Sequence, residues 1–298
     1  MTDSALPWVW SRLVPAKMAD CWVERLHFLG PGSLVLHRLG SRPTVRLEAY
    51  LPDLSTGREL LDRYGGKLRK DTSAWSAATP RSKPLRIGGK LWIVPEAERS
   101  LGKKAASPGG LPSLFIPAGM AFGTGRHATT GMILREMVTI PDWHKSRTLD
   151  IGTGSGILAL AARKLGATRI WALDTDPSAL AVARRNEEAN FPSAAIRWVK
   201  ADLARWRAAK PFDRIVANLY LMPLLQGAAR LAAWLAPEGV LLVSGLLREQ
   251  ASEIEARFAQ EGLLLQRRKR RGKWTMLCFR APPHCHSAKA PLPSSDRD

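Results

Sequence analysis

The sequence predicts an α/β protein in which a mostly parallel sheet follows a smaller N-terminal α+β domain. From Arg147 onward, short apolar runs alternate with helical segments, a pattern that is typical of βαβ units. The first run leads into the glycine loop Gly152-Thr153-Gly154-Ser155-Gly156, and the second run ends on Asp174. A glycine turn followed by an acid at the tip of the next strand is typical of sheets that bind a nucleoside.

The N-terminal domain is predicted to cover residues 1–94. Residues 1–20 lack apolar periodicity and are expected to be loosely held. The predicted elements after them are strands over Ser33–His37, Thr44–Tyr50 and Leu85–Val94 and a helix over Arg58–Tyr64. No combination of residues in this part points to catalysis. Residues 95–121 are predicted to be a linker, because Gly, Pro and Ser concentrate in its first half.

The catalytic part is predicted to cover residues 122–281 and to contain the parallel sheet. Its predicted strands are Arg147–Ile151, Arg169–Leu173, Ile196–Lys200, Asp213–Ala217 and Val240–Ser244, followed by an antiparallel pair over Leu263–Arg267 and Trp274–Phe279. Its predicted helices are Gly131–Val138, Ile157–Leu165, Pro177–Asn190 with Asp176 as N-cap, Pro223–Leu235 and Leu247–Gln260. Right-handed crossovers bring the ends of the first, second and fourth strands to one edge. We therefore expect Gly152, Asp174 and Asn218 to share one crevice.

The spacing of the glycines narrows the choice of ligand. A dinucleotide fingerprint reads G-x-G-x-x-G, whereas this loop reads G-x-G-x-G, with Ile157 where the third dinucleotide glycine would stand. No G-K-[ST] follows the loop, which excludes a P-loop. A ligand with a ribose but no phosphate therefore suits the pattern, and S-adenosylmethionine is the common one. A bare glycine turn in another kind of α/β domain is the alternative.

A second loop, Phe122 to Thr130, combines glycines, hydroxyls and a histidine. Such a polar loop can fold over a ligand that is seated on the glycine turn, although an ordinary inter-domain loop has the same composition. We expect Thr129 or Thr130 to cap the helix that follows.

Composition indicates which partners and which cellular compartment suit the protein. The chain has 298 residues and a formal net charge of +19, which indicates either an anionic or ribosomal partner or a general abundance of arginine. The three cysteines are too few for a disulfide framework, and no apolar run reaches the length of a membrane span. A cytoplasmic protein without membrane contact is expected. No metal site is predicted, since His284-Cys285-His286 matches no structural zinc pattern.

The basic run Arg267–Arg271 lies on the predicted C-terminal hairpin. It has two interpretations, a contact with an anionic surface or a charged sheet edge that prevents pairing with other sheets. The charged edge is favoured. Residues 282–298 are rich in Pro and Ser and are predicted to be a disordered tail.

Between about Leu85 and Arg280 the sequence resembles the ribosomal protein L11 methyltransferase family of class I S-adenosylmethionine-dependent protein-lysine methyltransferases. The motifs that carry this resemblance are Phe122-Gly123-Thr124-Gly125-Arg126-His127-Ala128-Thr129-Thr130, Asp150 to Leu158, Leu173-Asp174-Thr175-Asp176-Pro177, and Ala217-Asn218-Leu219 with Pro223-Leu224. The first loop is the specific one, although Ala128 and Arg126 stand where the family usually has Pro and often Thr. The first 80 residues match poorly.

This resemblance implies a seven-stranded, Rossmann-like class I methyltransferase sheet and a smaller N-terminal substrate-recognition domain. It implies cofactor contacts from Thr130, Gly152, Asp174 and Asn218, while Phe122, His127 and Gly154 match neighbouring positions of the motifs.

The activity implied by the resemblance is transfer of methyl groups from S-adenosylmethionine to amino groups of a protein, with lysines of ribosomal protein L11 as the target. Asn218 is the predicted catalytic residue at the point of methyl transfer. The expected enzyme is a monomer that contacts L11, with ribosomal RNA as a further contact of its basic surface. Alternatives are a lysine of the electron-transfer flavoprotein β subunit, a small molecule or RNA as the target, or a non-catalytic relative that binds nucleic acid.

Overall fold

The structure is a computed structural model that describes residues 8–19, 22–23, 26, 29, 34–38, 43–51, 53–70, 84–94, 110–116, 125 and 127–283. The predicted site residue Phe122, most of the predicted linker and nearly all of the predicted tail lie outside these residues. The chain forms two compact units, one of residues 1–82 with 119–122 and one of residues 83–118 with 123–298.

The first unit contains a four-stranded antiparallel sheet in the order β2-β3-β1-β4. Its elements are β1 (Trp8–Pro15), β2 (Leu34–Arg38), β3 (Thr44–Leu51), α1 (Leu54–Tyr64) and β4 (Lys67–Lys70). The expectation of loosely held residues at 1–20 is wrong for β1, which is a central strand with Trp10 fully buried. The consecutive apolar residues Trp8-Val9-Trp10 hide the alternation by which a half-buried strand is recognised. Helix α1 begins four residues earlier than predicted, because Asp53 caps it by accepting a hydrogen bond from the backbone N–H of Thr56 at 2.8 Å.

The second unit begins with a small sheet of β5 (Leu85–Ile87), β6 (Leu91–Val94) and β7 (Ser113–Phe115). Its hydrophobic residues, among them Ile87, Leu91 and Leu114, belong to the same apolar core as the large sheet. The boundary between the two units therefore follows Ser82, whereas the sequence predicts the end of the N-terminal domain at Val94. Short apolar runs carry no sign of which core they join.

The large sheet has the expected seven strands, and their order is β10-β9-β8-β11-β12-β14-β13. Its strands are β8 (Arg147–Ile151), β9 (Arg169–Asp174), β10 (Ile196–Lys200), β11 (Phe212–Asn218), β12 (Leu235–Leu247), β13 (Leu264–Arg271) and β14 (Trp274–Arg280). The first five strands pair in parallel, and β14 pairs antiparallel with β12 and β13. The order reverses at β8, and in open sheets ligands bind at such a switch point.

Helices cover both faces of this sheet and complete two apolar cores. They are α2 (Ala128–Met137), α3 (Ile157–Lys164), α4 (Pro177–Asn190), α5 (Leu221–Ala233) and α6 (Ala251–Gln260). Asp176 caps α4 as predicted, accepting a hydrogen bond from Ser178 N–H at 2.8 Å. The predicted threonine cap of α2 is wrong, because His127 is the N-cap and both threonines lie in the first helical turn.

The basic run lies on β13, at the edge of the sheet, as the favoured interpretation predicts. Its charges are also used within the molecule. Arg267 donates a 2.7 Å hydrogen bond to Oε1 of the buried Glu136 on α2, and Nζ of Lys269 lies 2.7 Å from Oε2 of the same carboxylate. Arg268 pairs with Glu255 on α6. The run thus ties the edge strand to two helices. No helix in the part of the chain that the structure describes is long and apolar enough to span a membrane.

Candidate active site

The strand register brings three predicted site residues to the same level of the sheet. Ile151 pairs with Leu173 of β9 and with Ala217 of β11. Gly152, Asp174 and Asn218 each follow one of these paired residues in the chain. The three residues that were predicted to share a crevice therefore lie together at the carboxyl edge of the sheet.

The glycine turn has a conformation that only glycine adopts easily. Gly152, Gly154 and Gly156 have φ angles of +69°, +54° and +81°, in the region that L side chains rarely occupy. Space is also limiting, since a Cβ at Gly152 would lie 2.5 Å from Cδ2 of Leu219 and one at Gly156 would lie 2.8 Å from the ring of Trp198. The turn is fixed to β9 by hydrogen bonds from Gly152 N–H and Thr153 N–H to the carbonyl of Leu173, at 2.9 and 3.0 Å.

Asp150 stabilises the glycine turn through hydrogen bonds, a role that sequence reasoning missed. It lies near the end of β8 and is fully buried. Its Oδ2 accepts hydrogen bonds from the Thr153 hydroxyl at 2.6 Å and from Ala159 N–H at 3.1 Å, so it connects strand, turn and helix α3. Burial raises the pKa of this carboxyl to about 7, against the lowering effect of the two hydrogen bonds. The signal in the sequence was an acid two residues before Gly152, next to the apolar residues Leu149 and Ile151.

Asp174 stabilises the backbone around the glycine turn and keeps acceptor positions for a ligand. Its Oδ2 accepts a hydrogen bond from Gly154 N–H at 2.9 Å, and its Oδ1 accepts one from Asp176 N–H at 3.0 Å. An ionised carboxylate has about four acceptor positions. Two hydrogen bonds to the backbone therefore leave capacity for the two hydroxyls of a ribose.

Asn218 and Thr130 meet although they lie 88 residues apart in the chain. The amide Nδ2 of Asn218 donates a 3.1 Å hydrogen bond to the hydroxyl oxygen of Thr130, whose side chain is buried in the first turn of α2. This bond uses the amide nitrogen of Asn218, and its carbonyl oxygen Oδ1 is a separate acceptor. The contact brings the second predicted loop to the end of β11.

Gly125, three residues before α2, lies against the start of the helix that follows the glycine turn. A Cβ at Gly125 would be 3.1 Å from Cδ1 of Ile157, the first residue of α3. His127 forms a 2.8 Å hydrogen bond through Nδ1 with the Thr129 hydroxyl, and its ring contacts Trp274 edge-on at a centroid distance of 5.1 Å. Burial lowers the pKa of this imidazole. The structure thus places His127 in the packing of α2 against β14.

Comparison with known families accounts for this combination of fold and crevice. A family model described as Ribosomal protein L11 methyltransferase (PrmA) matches residues 66–282. The chain belongs to the ribosomal protein L11 methyltransferase family. The match includes Thr130, Asp150, Gly152, Asp174 and Asn218.

Relatives in the L11 methyltransferase family match about two thirds or more of the chain. The ribosomal protein L11 methyltransferase of Chromohalobacter salexigens is 38% identical over 199 residues, which are 67% of this chain and 64% of the relative. That of Geobacter metallireducens is 40% identical over 201 residues, 66% and 62% of the two chains. That of Pelobacter propionicus is 36% identical over 243 residues, 79% and 74%. The chain thus covers less than two thirds of the first two relatives.

A solved structure from the same family agrees with the fold. It is a ribosomal protein L11 methylase from Lactobacillus delbrueckii subsp. bulgaricus, 28% identical, with a TM-score of 0.61. The similarity covers 67% of this chain and 100% of that one. In the described residues of this chain, no group of three or more His, Cys, Asp or Glu side chains is arranged to hold a metal ion.

Proposed function

We propose that this chain is an S-adenosylmethionine-dependent methyltransferase that modifies amino groups of ribosomal protein L11, in particular lysine side chains. The observation that carries the proposal is the crevice, where a glycine turn and Asp174 lie level with Asn218. Membership of the L11 methyltransferase family supports this choice of substrate.

The residues of the crevice suit S-adenosylmethionine. Asp174 has acceptor capacity for both ribose hydroxyls. A Cβ at Gly152 or Gly156 would contact neighbouring side chains below 3.0 Å, so these glycines keep the backbone close-packed around the turn. No lysine follows the turn to hold a phosphate. When bound, this cofactor would supply a methyl group on a positively charged sulfur.

The chain's own residues would position the amine that accepts the methyl group. Direct displacement needs the nitrogen in line with the methyl carbon, and such positioning is worth about 7–11 kcal/mol. The amine must also be neutral, whereas a lysine at its usual pKa is neutral to only about a few parts in ten thousand at pH 7. Burial beside a positive charge lowers that pKa. We assign to Oδ1 of Asn218 the role of accepting an N–H from the amine, with Thr130 fixing the orientation of the amide.

The proposal also covers substrate recognition, cellular location, oligomeric state and contact with RNA. The N-terminal unit, most of which precedes the family match, is proposed to recognise the protein substrate. A ribosomal protein as substrate supports a cytoplasmic setting for the enzyme. The charged edge strand β13 favours a monomer, because it resists pairing between sheets. The net charge of +19 supports a contact with ribosomal RNA as well.

The test is transfer of tritiated methyl groups into purified L11 and into a lysate of a strain that lacks this gene. Wild-type chain should label L11 in both. Asn218→Ala should lower turnover by about a hundredfold, and Gln226→Ala, which removes an exposed amide on α5, should not. Retention of activity within a few-fold by Asn218→Ala contradicts its assignment. Labelling of another band, with L11 unlabelled, contradicts the proposed substrate.

A further inference from the structure

Two exposed apolar side chains lie two and four residues after Asn218. Tyr220 is 60% exposed and Met222 is 56% exposed. Consecutive Cα atoms are about 3.8 Å apart, so the Cα of Tyr220 lies within about 7 Å of that of Asn218. Met222 is in the first turn of α5, for which Tyr220 is the N-cap. Contiguous exposed apolar patches mark ligand-binding grooves and interaction sites.

The backbone that carries this pair is held tightly against the sheet. Leu219 N–H donates a 3.0 Å hydrogen bond to the carbonyl of Ser244 on β12. A Cβ at Gly245 would lie 2.3 Å from the carbonyl oxygen of Leu219. The side chain of Leu219 packs on Gly152 of the glycine turn. Tyr220 therefore extends from a fixed point between the turn and β12.

Packing of α5 explains why the pair stays outside the core. Leu224, Ala228 and Leu231 are fully buried in the core under the sheet. A Cβ at Gly227 would lie 2.5 Å from Cδ2 of Leu203, so that face has no room for a larger residue. The start of the helix faces solvent, and burial of Met222 would require the helix to turn away from this core.

Charge is also absent from this stretch. Asp, Glu, Lys and Arg make up 24% of the whole chain, yet residues 215–229 contain none of them. A lysine in solution is a cation, and the chain as a whole has a charge of +19. A stretch without charged side chains around Asn218 adds no repulsion of that cation and favours loss of its water.

We infer that Tyr220 and Met222 form the contact for the four methylene groups of the acceptor lysine, beside Asn218, and so select a long aliphatic amine. This inference rests on the proposed function. The methylene stem of lysine packs readily on apolar surface while its amine stays with a polar group. Asn218 supplies the polar group, and the pair supplies the apolar surface.

The experiment measures methyl transfer to purified L11, with titration of S-adenosylhomocysteine in parallel. Tyr220→Ser and Met222→Ser should each lower kcat/KM for L11 by about tenfold, with affinity for S-adenosylhomocysteine unchanged within about twofold. The matched control is Leu264→Ser, which removes a similarly exposed apolar side chain (54%) from the edge strand β13.

Charge variants give a second readout that a change in packing does not produce. Met222→Lys should lower kcat/KM for L11 more than Met222→Ser does, and the additional loss should shrink as salt is raised. Leu264→Lys should show neither effect. Wild-type kcat/KM in both serine variants overturns the inference and leaves the proposed function intact. Failure of the wild-type chain to label L11, while it still binds S-adenosylhomocysteine, contradicts the proposed substrate and the inference together.

Discussion

Replacement of Asp174 by alanine tests the centre of the proposed cofactor site. Both carboxylate oxygens already accept one backbone hydrogen bond, from Gly154 at 2.9 Å and from Asp176 at 3.0 Å. Each oxygen keeps acceptor capacity for one ribose hydroxyl. The substitution therefore removes two contacts with the ligand and two contacts that shape the turn.

The size of the effect follows from these contacts. A hydrogen bond to a charged group is worth about 1.5–3 kcal/mol. Two such bonds to the ribose amount to about 3–6 kcal/mol, which is a loss of affinity of about 10² to 10⁴. Release of the N–H groups of Gly154 and Asp176 adds to the loss, because the turn must then be ordered by the ligand itself.

Calorimetric titration with S-adenosylhomocysteine measures this loss. Asp213→Ala is the matched control, since it removes an equal charge at the start of β11, where the carboxylate accepts a 2.7 Å hydrogen bond from Arg147 N–H. Its affinity should stay within about twofold of wild type, because the start of a parallel strand lies at the opposite edge of the sheet.

A ligand without the ribose 2′-hydroxyl separates direct contact from the shape of the turn. Wild-type chain should bind the 2′-deoxy form of S-adenosylhomocysteine about tenfold more weakly than the parent compound. Asp174→Ala should bind the two compounds equally. Affinity of Asp174→Ala within tenfold of wild type, or continued discrimination by that variant, would refute the assignment of Asp174 to the ribose.

Three further predictions concern the surroundings of the site. The double substitution of Arg267 and Lys269 by Ala should lower the unfolding free energy, measured by urea denaturation, by about 3 kcal/mol, because it leaves the buried charge of Glu136 unpaired. Addition of Glu136→Gln to this double variant should recover most of the lost free energy. No recovery would show that the unpaired charge is not the cause. Burial raises the pKa of Asp150 to about 7, above its unfolded value, so its contribution to stability is present below about pH 4 and lost by about pH 7. Relative to Asp150→Asn, the wild type should therefore lose about 4 kcal/mol of unfolding free energy over that range, and a flat difference would contradict the raised pKa. Thr130→Val should lower turnover about tenfold by releasing the amide of Asn218, whereas Thr130→Ser should retain it; equal rates in both variants would exclude the hydroxyl as the cause.

The sheet and the positions of three site residues were predictable from sequence, because their signals are local. A strand, a glycine turn and a helix occur in one short segment around Gly152. Asp174 and Asn218 each end an apolar run. The right-handed connection of parallel strands then determines that these ends meet.

Contacts between distant segments were not predictable in the same way. The carboxylate of Glu136 meets Arg267 across 131 positions of the chain, and nothing in either segment indicates the other. The role of Asp150 depends on its complete burial, which a strand pattern does not reveal for an acid. The prediction of a threonine cap for α2 was wrong because any hydroxyl at the start of a helix is compatible with the capping pattern. Two threonines follow each other there.

The ion pairs of β13 have a consequence for how the +19 net charge acts on other molecules. Three neighbouring cations of the run, Arg267, Arg268 and Lys269, already face carboxylates of the protein itself. A polyanion such as heparin would have to displace Glu136 and Glu255 before it gained these three contacts. Fewer counterions would be released than the run of five basic residues implies, and elution from a heparin column should come at correspondingly lower salt.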